Sequence, residues 1–121
     1  MTPKGLYRPL VVESDGRLAG YALVTRYFDT EPCAWCSYMQ DLYVKPDWRS
    51  RGVGRQLIAA VARHTLDEGR AELLWHVRDH NRRGRDFYSR VGGIEQTPIP
   101  VTLTGDALQQ LAEEGGRQSS G

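Results

Sequence analysis

The sequence has no excess of charge of one sign, few cysteines and no long apolar run. Sixteen lysines and arginines against fifteen aspartates and glutamates leave a formal charge of +1. That near-balance argues against a nucleic-acid-binding surface as the chain's main role. No stretch approaches the length of a membrane span, and the first residues form no apolar signal segment. A soluble, cytoplasmic protein with no membrane partner is expected. The two cysteines stand as Cys33-Ala34-Trp35-Cys36. A redox pair belongs at a helix start, whereas this one precedes a strand in a proline-containing loop. A structural zinc site needs two further ligands, and the three histidines come only at 64, 76 and 80. Two reduced thiols and no metal are expected. Internal repeats are also absent, and 121 residues suffice for one domain with a single core.

The pattern that is present alternates strands with helices. Apolar alternation predicts strands over 9–14 and 18–27, joined at Asp15-Gly16, a strong hairpin signal. A loop over 28–36 containing Pro32 leads to a strand over 37–44. A helix is predicted over 54–68, with Leu57, Ile58, Val61, Thr65 and Leu66 on its apolar face and Gly69 closing it. A strand over 71–77, a helix over 83–91, and an extended stretch over 94–103 broken by Pro98 and Pro100 follow. A last helix covers 104–114, and 115–121 read as a disordered tail. The order implies an α/β (α+β) domain over 1–114, with a mixed sheet and helices packed on it.

One segment carries most of the chemistry. Between the strand ending at Val44 and the helix beginning near Gly54 lies Arg49-Ser50-Arg51-Gly52-Val53-Gly54-Arg55. Glycines at 52 and 54 let the backbone approach a ligand closely. The first N–H groups of the helix have no intrahelical partner, and the helix dipole favours an anion there. Arg49, Arg51 and Arg55 add guanidinium forks suited to phosphate oxygens. The expected anion is a pyrophosphate; a turn with a helix cap and surface arginines is the plainer alternative. A P-loop would need Gly-Lys-Ser/Thr, and a dinucleotide fingerprint a third glycine; neither is present.

Downstream lie Trp75-His76-Val77-Arg78-Asp79-His80-Asn81 and then Phe87-Tyr88-Ser89-Arg90-Val91-Gly92. Together the two segments resemble the GNAT superfamily of acetyl-CoA-dependent N-acetyltransferases. Arg49–Gly54 is similar to its pyrophosphate loop, and Asn81–Gly92 to its Asn…Phe-Tyr…Gly segment. The resemblance covers roughly residues 10–100. Within the superfamily, Tyr38-Met39-Gln40-Asp41-Leu42-Tyr43-Val44 looks like the diamine (spermidine/spermine and thialysine) branch.

The resemblance implies a GNAT-type mixed, mostly antiparallel sheet, lacking the first strand and first helices, since only 1–8 precede the hairpin. It implies acetyl-CoA as cosubstrate, held by Leu42, Tyr43 and Val44, by Ser50 and Val53 with the loop arginines and glycines, and by Asn81 and Tyr88. The strands over 37–44 and 71–77 would splay around the pantetheine arm, whose amides would pair with backbone of Leu42 and Val44. N–H groups near Leu42–Val44 would hold the oxyanion. Tyr88 would protonate the departing thiolate, with a packed aromatic as the alternative. An ordinary phenol against an ordinary thiol makes full transfer uphill by about 2 kcal/mol, so a hydrogen bond alone would suffice. The branch's Glu-Asp proton relay reads here as Gln40-Asp41. Asp41 would either attract a cationic amine or brace the following loop, and His80 is a second candidate base.

Arg51, Arg78, Arg82, Arg83 and Arg85 with Trp48 would rim the cofactor side, and Asp29 and Glu31 with Asp41 would suit a cationic acceptor. A sheet edge missing its first strand would favour a homodimer. Acetyl transfer to a small primary amine, polyamine or lysine-like, is the expected activity. A CoA-binding regulatory module without catalysis is the alternative, favoured by Gln40 and the short N-terminal side.

Overall fold

The computed structural model describes residues 7–116. β1 (Tyr7–Ser14) and β2 (Arg17–Asp29) form an antiparallel hairpin about Asp15-Gly16. Both turn residues take positive φ, 52° and 74°, the geometry whose twist matches the flanking strands. β2 pairs antiparallel with β3 (Ala34–Val44). The loop expected over 28–36 is much shorter, because Phe28 pairs with Trp35 and Asp29 with Ala34. The two aromatic rings meet edge to face at 5.3 Å, and Arg26 lies 4.3 Å over Trp35. Such cross-strand pairs extend a ladder, and Pro32 is confined to the turn.

β4 (Leu73–Leu74) adds to β3 in parallel, giving the order β1-β2-β3-β4: a mixed, mostly antiparallel sheet, as expected. The strand predicted over 71–77 is reduced to these two residues, paired with Ser37 and Tyr38. Beyond Leu74 the chain leaves β3.

α1 (Val53–Asp67) covers one face of the sheet. Its Val53, Leu57, Ile58 and Val61 join Ala19, Ala22, Val24 and Met39 in the core. Leu66 does not share this face and is 62% exposed. It stands nine residues from Leu57, half a turn round the helix. Gly20 fixes how closely α1 sits: a Cβ there would lie 2.6 Å from the Tyr43 carbonyl oxygen and 3.1 Å from Leu57 Cδ1. The first turn of α1 is thereby held against the end of β3.

α2 (Arg82–Arg90) follows, then α3 (Gly105–Gly116). The extended stretch expected over 94–103 forms no strand; Ile94, Ile99 and Val101 are 83%, 85% and 90% exposed. Pro98 and Pro100 lack ladder donors, and β4 stops too early to offer them an edge. α3 runs two residues into the tail read as disordered, and 117–121 lie outside the described residues. No helix among the described residues is long and apolar enough to cross a membrane.

Candidate active site

After Val44 the chain makes one 3-10 turn (Pro46–Trp48), then Ser50 and Gly52 take positive φ, 64° and 82°. α1 starts at once, its first turn closed by Gln56 N–H donating to the Gly52 carbonyl at 3.0 Å. The N–H groups of Val53, Gly54 and Arg55 therefore have no intrahelical acceptor and carry the positive end of a 15-residue helix. Arg49 is folded back: its Nε donates to the Val44 carbonyl at 3.0 Å, tying the loop to the strand end. The Arg51 guanidinium lies 5.0 Å over the Trp48 ring, and Arg83 donates to Ser50 Oγ at 3.3 Å. Beside the loop, Ser14, Asp15, Arg17, Asp47, Trp48 and Arg51 frame an open depression of about 450 Å³. Arg85, expected on the same cationic rim, is engaged elsewhere, in two 2.8 Å bonds to the Glu95 carboxylate and one to the Asp79 carbonyl. That pairing holds Glu95 below its ordinary carboxylate range.

The parted end of the sheet lies next to this loop. Lys45 N–H bonds the Ala19 carbonyl at 2.8 Å. Antiparallel alternation then turns the polar groups of Tyr43 towards β2 and those of Leu42 and Val44 towards the gap. α2 closes one side of that gap. Its N-terminus is capped by Asn81, whose Oδ1 accepts the Gly84 N–H at 2.9 Å. Phe87 packs so tightly on Gly54 that a Cβ there would meet Phe87 Cζ at 3.3 Å. Gly54 therefore serves helix packing as well as backbone access. Tyr88 is half-buried, its ring 5.3 Å from Trp75 and 5.5 Å from Phe87, and burial pushes its phenol above the ordinary value.

The opposite face of the sheet shows what sequence reasoning missed. Leu23 pairs with Asp41 and Val24 with Met39, so Gln40 is an extra residue, a β-bulge. The bulge resets the alternation: Met39, Leu42 and Val44 face the α1 side, while Asp41 and Tyr43 face away. Asp41 accepts from the Tyr21 hydroxyl at 3.1 Å, and the Tyr21 ring lies 5.5 Å from Tyr43. That carboxylate bond is the main cause raising the Tyr21 phenol. Of the two roles weighed for Asp41, bracing the following loop is not what the geometry shows; it bonds across to β2. Tyr38 and His76 share a 2.7 Å hydrogen bond on the same face. Strict period-two reading hides this grouping, because nothing in the residue types announces the bulge.

Other expected groupings do not form. Asp29 and Glu31 sit at the β2–β3 turn, where Asp29 accepts the Glu31 N–H at 3.0 Å. Along β2, six residue steps, about 20 Å, separate Asp29, which pairs with Ala34, from Leu23, which pairs with Asp41, so these acids do not gather round one acceptor. Both thiols are free, Cys33 exposed and Cys36 buried. Cys36 lies at that distant end, its Sγ and the Asp29 and Glu72 carboxylates within 4.8 Å of one another. His80 is exposed in the turn before α2.

A helix start with unpaired N–H groups beside a parted strand pair is an arrangement that can receive a long, phosphate-bearing molecule. The chain belongs to the acetyltransferase (GNAT) family, whose model matches residues 2–93. It is 35% identical over 79 residues to the thialysine N-epsilon-acetyltransferase of Bos taurus, an alignment covering 62% of this chain and 46% of that enzyme. The chain spans about half the length of the curated relatives it matches. Among solved structures, an integron cassette protein from the mobile metagenome of V. cholerae superposes with a TM-score of 0.79 at 23% identity, over 88% of this chain and 67% of that one. The aminoglycoside acetyltransferase AAC(6')-Iy, in complex with a CoA-containing bisubstrate analogue, gives 0.72 at 24%, over 80% and 68%.

Proposed function

We propose that this chain is a cytoplasmic, acetyl-CoA-dependent N-acetyltransferase that acts by direct attack on a small cationic primary amine, polyamine or lysine-like. The observation that carries the reading is the left-handed Ser50 and Gly52 turn, which opens the start of α1 beside the gap after Leu74. There Ser50 to Arg55 would receive the pyrophosphate, with Arg49 bracing the loop through Val44. The depression framed by Arg17, Trp48 and Arg51 suits a nucleotide end. Leu42 and Val44 would pair their gap-facing backbone groups with the pantetheine amides and hold the oxyanion. Asn81 would contribute by fixing α2, and hence Tyr88, over the gap.

Tyr88 would stabilise the departing thiolate. Its raised phenol makes outright proton transfer costlier than the ~2 kcal/mol of an unperturbed pair, so hydrogen bonding is the role the burial supports. Tyr88→Phe is expected to lower kcat about 100-fold with acetyl-CoA binding retained. A raised phenol also means no loss of activity from its ionisation below pH 10, the ordinary tyrosine value. Steady-state kinetics against pH checks both.

On the acceptor side, Asp41 with the faces of Tyr21 and Tyr43 offers a carboxylate and aromatic surface, which suits an ammonium. The relative's name points to thialysine as the first amine to try. Acetyl-CoA-dependent thiol release stimulated by thialysine supports the reading. Acetyl-CoA binding without release on any primary amine supports instead the non-catalytic module, which the bulged Gln40 favours. Self-association is part of the proposal: among the described residues β1 has one unpaired edge, and Ile94, Ile99 and Val101 are uncovered. A dimeric mass by light scattering at micromolar concentration is expected, and a monomeric mass removes it.

A further inference from the structure

We propose that Tyr38 and His76 form the proton-accepting pair for the acceptor amine, an inference that rests on the acetyltransferase reading. The Tyr38 hydroxyl and His76 Nδ1 are 2.7 Å apart, and their rings are 5.4 Å apart. Their place in the fold is specific. Tyr38 and Leu74 are the last paired residues of β3 and β4, so the pair bridges the base of the fork where the strands part. The β3–β4 register ends at Tyr38 and Leu74, and His76, two residues beyond that last pair, bonds to the Tyr38 hydroxyl. Trp75 points the other way, packing on Tyr88 and the core on the α1 side. Alternation therefore sends His76 to the face that α1 leaves open. An amine entering from that face meets Asp41, Tyr21 and Tyr43 on the flank and the Tyr38 hydroxyl at the crotch.

The chemistry asks for such a group. When the neutral amine nitrogen bonds to the thioester carbonyl carbon, the nitrogen becomes cationic and far more acidic than a free ammonium. Its N–H proton passes to Tyr38 Oη as the Tyr38 hydroxyl proton passes to His76 Nδ1. The nitrogen keeps its electron pair, the carbon–sulfur bond breaks, and the thiolate leaves with that bond's electrons. The imidazolium then returns its proton to solvent through Tyr38. Gln40 cannot accept a proton, and Asp41, which accepts from Tyr21, serves to attract the amine as an ammonium; the Tyr38–His76 pair brings an imidazole to the fork itself.

Three variants assayed with thialysine and acetyl-CoA test the assignment. His76→Gln keeps a hydrogen-bond partner for Tyr38 but removes the base, and Tyr38→Phe breaks the path. His76→Ala leaves space for added imidazole. Each is expected to lose about 100-fold in kcat, with acetyl-CoA affinity within about threefold of wild type as a check on folding. Imidazole should restore His76→Ala by about tenfold or more, and leave Tyr38→Phe unchanged. A purely structural pair would let His76→Gln turn over at the wild-type rate, and that result, or no imidazole rescue, overturns the assignment. A wild-type chain that acetylates no amine overturns the acetyltransferase reading itself, and this inference with it.

Discussion

Gly20→Ala is expected to destabilise the fold by about 3 kcal/mol and lower the melting temperature by about 10 °C, although residue 20 touches no proposed ligand. The added Cβ would meet the Tyr43 carbonyl oxygen at 2.6 Å, Leu57 Cδ1 at 3.1 Å and Val53 Cγ1 at 3.2 Å. A leucine tip can rotate away; a carbonyl held in the β2–β3 ladder cannot. Relief must come from separating β2 from β3 or lifting the first turn of α1, and both converge on the end of β3. Thermal and denaturant unfolding check this, and a variant as stable as wild type would mean that β2, β3 and α1 leave room for a methyl group at residue 20, contrary to the 2.6 Å approach.

Gly52→Ala should behave in the opposite way. Its Cβ would meet nothing within 4 Å, but φ is +82°, so the expected stability loss is only the left-handed penalty of about 1–2 kcal/mol. The ligand would suffer more. Shifting residue 52 out of the left-handed region rotates the N–H groups that open α1, and acetyl-CoA affinity is expected to fall about 100-fold, the sum of a few charge-assisted hydrogen bonds. Titration calorimetry beside an unfolding curve separates the two quantities. Affinity unchanged despite the strain would show that residue 52 is a turn residue and nothing more.

These two glycines show what could be read in advance and what could not. Gly52 stands in a motif whose spacing implies a loop before a helix, and the loop, α1 and the segment from Asn81 to Val91 appear where the pattern placed them. Gly20 looks like any glycine in a strand; its constraint comes from Tyr43, twenty-three residues away, and pairing of that kind is visible only in the folded chain. The same holds for Asp41. Its motif position marked it for attention, but its partner Tyr21 and its face depend on a one-residue bulge at Gln40. His76 carries no signal of its own, because a histidine amid Trp75 and Val77 reads as an ordinary strand residue. The 94–103 stretch misled in the other direction: Ile99, Val101 and Leu103 alternate as a strand would, yet no neighbouring edge receives them.

The most direct measurement is calorimetric titration of the wild-type chain with acetyl-CoA, set beside ATP and NAD. The loop between Arg49 and Arg55 and the gap after Leu74 together predict saturable one-to-one binding of acetyl-CoA, with ATP and NAD far weaker because neither carries a pantetheine arm to pair with Leu42 and Val44. No heat with acetyl-CoA, or ATP binding as tightly, would contradict the site.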